Sequence, residues 1–180
     1  VAGDTLRIID GRVHIDGQPQ EVWDGVQSSY TVITNGQKIN PKNLDRLGIN
    51  IGELGYNGGY SDRLPGYPAL PLTRQMLETV RNFPNVVSVE ENIDVYPPDY
   101  PDSYLTIFPF SENFRWTRDN FGPLWIPQAG VTVGLDTDNL PLYERIIRDY
   151  EHNDLKVDAD GNILINGEVA TSYTFRQDYY

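Results

Sequence analysis

The chain has 180 residues, long enough to bury a core without cross-links, and it contains no cysteine, which excludes disulfide frameworks, thiolate metal sites and cysteine nucleophiles. Twenty-six Asp and Glu against fourteen Lys and Arg give a net charge of −12, and no basic stripe interrupts it, so a phosphate backbone is not an expected partner. Three Trp, twelve Tyr and six Phe exclude a disordered acidic tail, and no run of 18 apolar residues is present to span a membrane.

In chain order, Thr5–Ile9 and Arg12–Ile15 read as two strands joined by Asp10-Gly11, a pair suited to a type I′ turn because both central residues need positive φ. Asp16-Gly17 ends the second strand. Gln27–Thr34 reads as a strand turning at Asn35-Gly36. Asn40-Pro41 has the form of an N-cap followed by Pro at the first helical position, and Gly48 stops that short helix. Residues 52–68 hold five glycines and two prolines and read as loop. Thr73 caps a helix through Asn82, with Met76, Leu77 and Val80 inward and Leu72 and Leu77 at the staple positions.

Val86–Val89 reads as a short strand, and Tyr96–Phe110, with four prolines and five aromatics, as an extended, turn-rich segment. Val131–Val133 reads as a strand and Leu140–Glu151 as a helix, on the spacing of Leu142, Tyr143, Ile146, Ile147 and Tyr150. Leu155–Val157, an Asp-rich loop and Asn162–Ile165 closing on Asn166-Gly167 repeat the form of the first hairpin. Tyr173–Tyr180 reads as a final strand. The expected fold class is mainly β with a few short helices (α+β).

Few residues suggest chemistry. His14 lies on the polar side of a hairpin strand and His152 follows a helix C-terminus, where a cation is favoured. Asp136-Thr137-Asp138 has no second copy to form an aspartic-protease pair and reads as a helix cap. Asp158-Ala-Asp160-Gly161 fails the calcium-loop spacing, with Lys156 at the first ligand position and Gly167 where a bidentate Glu belongs. No metal site, cofactor site or complete catalytic site is expected. The aromatic positions Tyr96, Tyr100, Tyr104, Phe108 and Phe110 are the candidate docking surface, able to stack on sugars or grip a peptide if exposed. The alternative is a loop tucked onto the core, with Trp116, Phe121 and Trp125 as core or interface residues.

Val1-Ala-Gly-Asp-Thr-Leu6, the hairpin through Gly17 and the closing Tyr173-Thr-Phe-Arg-Gln-Asp-Tyr-Tyr180 resemble bacterial type I signal peptidase. In that family a Lys-Arg pair precedes a Gly-Asp-Thr/Lys-Leu/Val segment, which opens a hairpin ending in Asn/Asp-Gly. Gly3 and Asp4 match the Gly-Asp, while Ala2 stands where many members have Pro. A strand similar to Tyr173–Tyr180 runs in the family into Met-Gly-Asp-Asn-Arg. Trp116–Pro127 and Leu140–Arg145 are similar to the enlarged form found in Bacteroidetes members, whereas residues 19–115 match only loosely.

The resemblance implies part of a serine endopeptidase of the inner membrane that removes signal peptides from exported preproteins, with this region on the periplasmic side. The family uses a Ser–Lys dyad, in which a lysine of lowered pKa deprotonates the serine. It places the nucleophile and the lysine ahead of Val1; none of Lys38, Lys42 or Lys156 sits in the matching motif, so this chain alone is expected to be inert. Gly3 and Asp4 are then structural flanking residues. The implied division is residues 1–18 as the first hairpin of the catalytic scaffold, 19–150 as an insertion, and 151–180 as the return to the scaffold. Two other classes stay open: a secreted glycan- or peptide-binding module using the 96–110 aromatics, and an independent hydrolase using scattered carboxylates.

Overall fold

Local turn chemistry accounts for much of the architecture in the computed structural model, which describes residues 1–180 apart from the side chain of Tyr104. The strands are β1 (Thr5–Ile9), β2 (Arg12–Ile15), β3 (Gln18–Pro19), β4 (Ser28–Thr34), β5 (Gly66–Leu72), β6 (Val86–Glu91), β7 (Phe121–Trp125), β8 (Thr132–Gly134), β9 (Leu155–Val157), β10 (Ile163–Ile165), β11 (Glu168–Val169) and β12 (Ser172–Thr174). The α-helices are α1 (Pro41–Arg46), α2 (Arg74–Arg81) and α3 (Leu140–Arg145), the last continuing as a π-helical turn over Ile146–Tyr150. The protein is mostly antiparallel β with few short helices.

The chain divides into two compact units, one of Val1–Gln20 with Asp94–Tyr180 and one of Glu21–Ile93. In the first, β1 and β2 pair through Leu6↔Ile15 and Ile9↔Arg12, with Asp10 and Gly11 both at positive φ as the type I′ turn requires. Asp16 and Gly17 repeat that turn and carry the chain into β3, so the second Asp-Gly makes a further hairpin. The sheet order is β3-β2-β1-β7. The later hairpin has the same form: β9 pairs with β10, and Asn166-Gly167, both at positive φ, turn the chain into β11. β8 and β12 form a separate antiparallel pair. The core of this unit comprises Leu135, Leu140, Tyr143, Ile147, Ile163, Tyr173 and Phe175.

The Glu21–Ile93 unit is a three-stranded sheet, β5-β4-β6. Val32, Tyr67, Leu70 and Leu72 of the sheet share a core with Leu44 of α1, Val80 of α2, and Ile39, Ile49 and Tyr60. The Asn40 side chain accepts from the Lys42 N–H, and Pro41 occupies the first turn of α1. Thr73 Oγ1 accepts from the Met76 N–H, and the Met76 sulfur accepts in return from the Thr73 N–H. Leu77 packs against the cluster that contains Leu72, as a hydrophobic staple does.

Two expectations need correction, and one strand was not foreseen. Residues 66–68 are strand, not loop, because β5 takes two prolines on the edge of its sheet, where a missing N–H costs no ladder bond. Phe121–Trp125 is a strand that its Gly and Pro concealed; Gly122 has φ +84, and a Cβ there would lie 2.6 Å from the Leu6 carbonyl oxygen. The final strand stops at Thr174, after which the backbone turns so that Arg176 N and the Tyr179 hydroxyl reach the Glu151 carboxylate.

Candidate functional site

The 96–110 segment rises from a stem pinned at both ends. Asp94 N donates to Asp119 Oδ2 at 2.6 Å, and Arg118 Nε meets Asp94 Oδ2 at 3.2 Å. Thr117, 2% exposed, donates its hydroxyl to the Asp94 carbonyl and accepts from Asn120 N at 3.0 Å. Arg115 then gathers the segment: its guanidinium donates to the carbonyls of Tyr100 at 2.9 Å and Pro97 at 3.3 Å and pairs with Asp102. These anchors were not apparent from the sequence, where Arg115 is one cation between two aromatics.

Of the five aromatic candidates, Tyr96 and Tyr100 are half-buried and stack on one another, ring centroids 4.7 Å apart and planes within 22°. Phe108 is half-buried, and Phe110 is 67% exposed with φ +59, an uncommon conformation for a bulky side chain. The side chain of Tyr104 lies outside the described residues. The segment is therefore partly tucked and partly presented, with Phe110 the most open to solvent of its described rings. Trp116 sits between Phe114 and Phe121, at centroid distances of 4.9 and 4.6 Å, and Trp125 packs 5.9 Å from Phe175. An open pocket of about 430 Å³ is lined by Asn113, Phe114, Asp136, Asp138 and Asn139.

Gly3 and Asp4 serve structural ends here. Gly3 has φ +90, its N–H donates to the Ile126 carbonyl at 2.8 Å, and its carbonyl accepts from Trp125 Nε1 at 3.0 Å. The Asp4 carbonyl accepts from Ile126 N at 2.8 Å. The segment ahead of the first hairpin is thus stitched along the end of β7.

The carboxylates singled out from sequence turn out to organise backbone. Asp136 Oδ1 accepts from the N–H groups of Asp138 and Asn139 ahead of α3. Asp158 accepts from Asn162 through both side chain and backbone and from Asp160 N, which holds its carboxyl below the usual range. His14 Nδ1 lies 2.9 Å from the Arg12 carbonyl, and His152 is exposed. Among the described residues, no group of three or more His, Asp or Glu could hold a metal ion, and no helix is long and apolar enough to cross a membrane.

A buried polar network was not foreseen. The Glu151 side chain is 2% exposed and accepts from the hydroxyls of Tyr173 and Tyr179 and from Arg176 N at 2.8 Å. Asn153, also buried, donates to the Ile147 carbonyl and the Tyr173 hydroxyl, and accepts from Asn166 and Arg176. Burial, and then the hydrogen bond and charge of Glu151, push the Tyr173 hydroxyl up to about 12. With every partner supplied from within, the network braces the chain after β12 against the end of the π-helical turn.

No protein-family model, curated protein or solved structure matches this chain.

Proposed function

We propose that this chain is an extracytoplasmic portion of a type I signal peptidase, the membrane-bound enzyme that cuts signal peptides from exported preproteins with a Ser–Lys dyad. The observation that carries this reading is where the resembling segments fall. Gly3, Asp4 and the first hairpin, Trp116–Pro127, Leu140–Arg145 and Tyr173–Tyr180 all belong to one compact unit, joined by the Gly3–Ile126 bond and by a core shared among Tyr143, Tyr173 and Phe175. Of residues 19–115, which match the family only loosely, Glu21–Ile93 has a sheet and core of its own, while 94–115 lies in the unit of the resembling segments. Segments scattered over the sequence thus make a unit, as a common ancestry of that unit requires.

On this reading the nucleophile and the lysine come from chain ahead of Val1, and the present residues position them without reacting. Substrate docking by the 96–110 aromatics is part of the proposal, with the exposed Phe110 as one contact. The first test is to read the source gene on both sides of this sequence. A Lys-Arg pair just ahead of Val1 and Met-Gly-Asp-Asn-Arg shortly after Tyr180 are expected. A gene coding for these residues alone would overturn the peptidase reading in favour of the binding module. Docking is tested by Phe110→Ala in the intact enzyme: a lower kcat/KM on native preproteins is expected, and an unchanged value removes the docking role.

A further inference from the structure

The Glu21–Ile93 unit contains a cavity of about 240 Å³ that Lys38 flanks. Its lining is largely apolar: Pro41 and Ile51 present accessible surface, backed by Ile39, Leu44 and Tyr67, each no more than 3% exposed. Two successive left-handed residues line one side, Asn57 at φ 58 and Gly58 at φ 63. A Cβ on Gly58 would lie 2.5 Å from the Ile51 side chain, so glycine is what lets these two walls meet.

Lys38 stands at the cavity. Its ammonium donates to Asn57 Oδ1 and lies 5.4 Å from the centre of the Tyr60 ring. Both contacts are with neutral groups, and among the described residues no carboxylate comes within salt-bridge distance of Lys38. Asn57 is itself fixed through its Nδ2 bond to the Tyr60 carbonyl at 3.1 Å, and Tyr67 through the bond its hydroxyl accepts from Ile39 N at 3.1 Å. An ammonium can donate three hydrogen bonds, so the one to Asn57 leaves capacity for an incoming anion.

We infer that this cavity binds a small aliphatic carboxylate, its hydrocarbon against Pro41 and Ile51 and its charge on Lys38. The volume lies below the roughly 300–1,000 Å³ of drug-sized sites, which limits the occupant to a short chain. The site is independent of the peptidase reading.

The test titrates the isotope-labelled chain with hexanoate, hexanol and hexylamine and follows the backbone amides. Hexanoate should give saturable shifts at Ile39, Ile51 and Gly58, with hexanol about tenfold weaker, the loss expected for one charge-assisted hydrogen bond. Hexylamine should not bind. In Lys38→Met, whose side chain is exposed and whose fold should be unchanged, hexanoate should fall to the level of hexanol. Ile51→Phe, filling the cavity, should abolish binding with the thermal transition retained. Equal binding of hexanoate and hexanol, shifts that persist in Lys38→Met, or no saturable shift would each overturn the inference. Tighter binding by Gly-Gly-Leu than by hexanoate would overturn a free acid as the occupant in favour of a peptide C-terminus.

Discussion

In the Glu21–Ile93 unit the most deeply buried side chains are apolar: Val32, Leu70 and Val80 are fully shielded, and Thr34 and Thr73 are the polar exceptions. In the other unit Ile147 and Phe175 are as well buried, but Glu151 and Asn153 lie among the buried residues with them. The first unit is held by burial of a continuous apolar cluster, a non-directional force that tolerates exchange of similar side chains. The second adds a charged group that must keep every partner or lose stability, and so fixes one arrangement of the chain from Tyr173 to Tyr179.

The difference can be broken first at Glu151. Glu151→Ala leaves two hydroxyls and the Arg176 N–H without their acceptor and should cost about 3–5 kcal/mol, read as a lowered denaturation midpoint. A loss under about 1 kcal/mol would mean that the network is incidental. Leu70→Ala in the other unit removes a fully buried side chain and should cost about 2–5 kcal/mol. If the units unfold separately, each substitution should shift only the transition of its own unit; one shared transition displaced by both would erase the distinction.

Alkaline pH sharpens the contrast more gently. The Tyr173 hydroxyl is raised from 10.0 to about 12 in the fold, so its contribution is fully present below pH 10 and is lost between pH 10 and 12 as the unfolded chain releases the proton more readily. Tyr173→Phe should flatten that part of the stability profile; an unchanged profile would deny the linkage. The smallest effect is expected at Thr73, whose hydroxyl caps α2: Thr73→Ala should cost about 1 kcal/mol in thermal unfolding.

The turns were legible because their chemistry is local. Asp10-Gly11 and Asn166-Gly167 announce positive φ at two successive residues, and Asn40-Pro41 and Thr73 carry their caps within three positions. β5 and β7 were not legible, since Pro68, Pro71, Gly122 and Pro123 contradict strand propensity and only an edge position in a sheet makes them acceptable. Glu151 was hidden for another reason. Its partners Tyr173 and Tyr179 lie 22 and 28 residues away, and nothing in Glu-His-Asn after a helix distinguishes a buried acceptor from a solvated end. The aromatic segment was visible as a composition, but its division into a stacked Tyr96–Tyr100 pair and an exposed Phe110 depends on Arg115, Thr117 and Asp94.

The unit of Val1–Gln20 and Asp94–Tyr180 is proposed above as part of a signal peptidase scaffold. That proposal is tested most directly by placing the full-length protein in lipid vesicles with a preprotein carrying alanine at the positions one and three ahead of its cleavage site. Cleavage at that site is expected, abolished by Ser→Ala at the upstream nucleophile, with no cleavage by residues 1–180 alone. An intact protein that leaves the preprotein uncut, or activity in the 180-residue chain by itself, would contradict it.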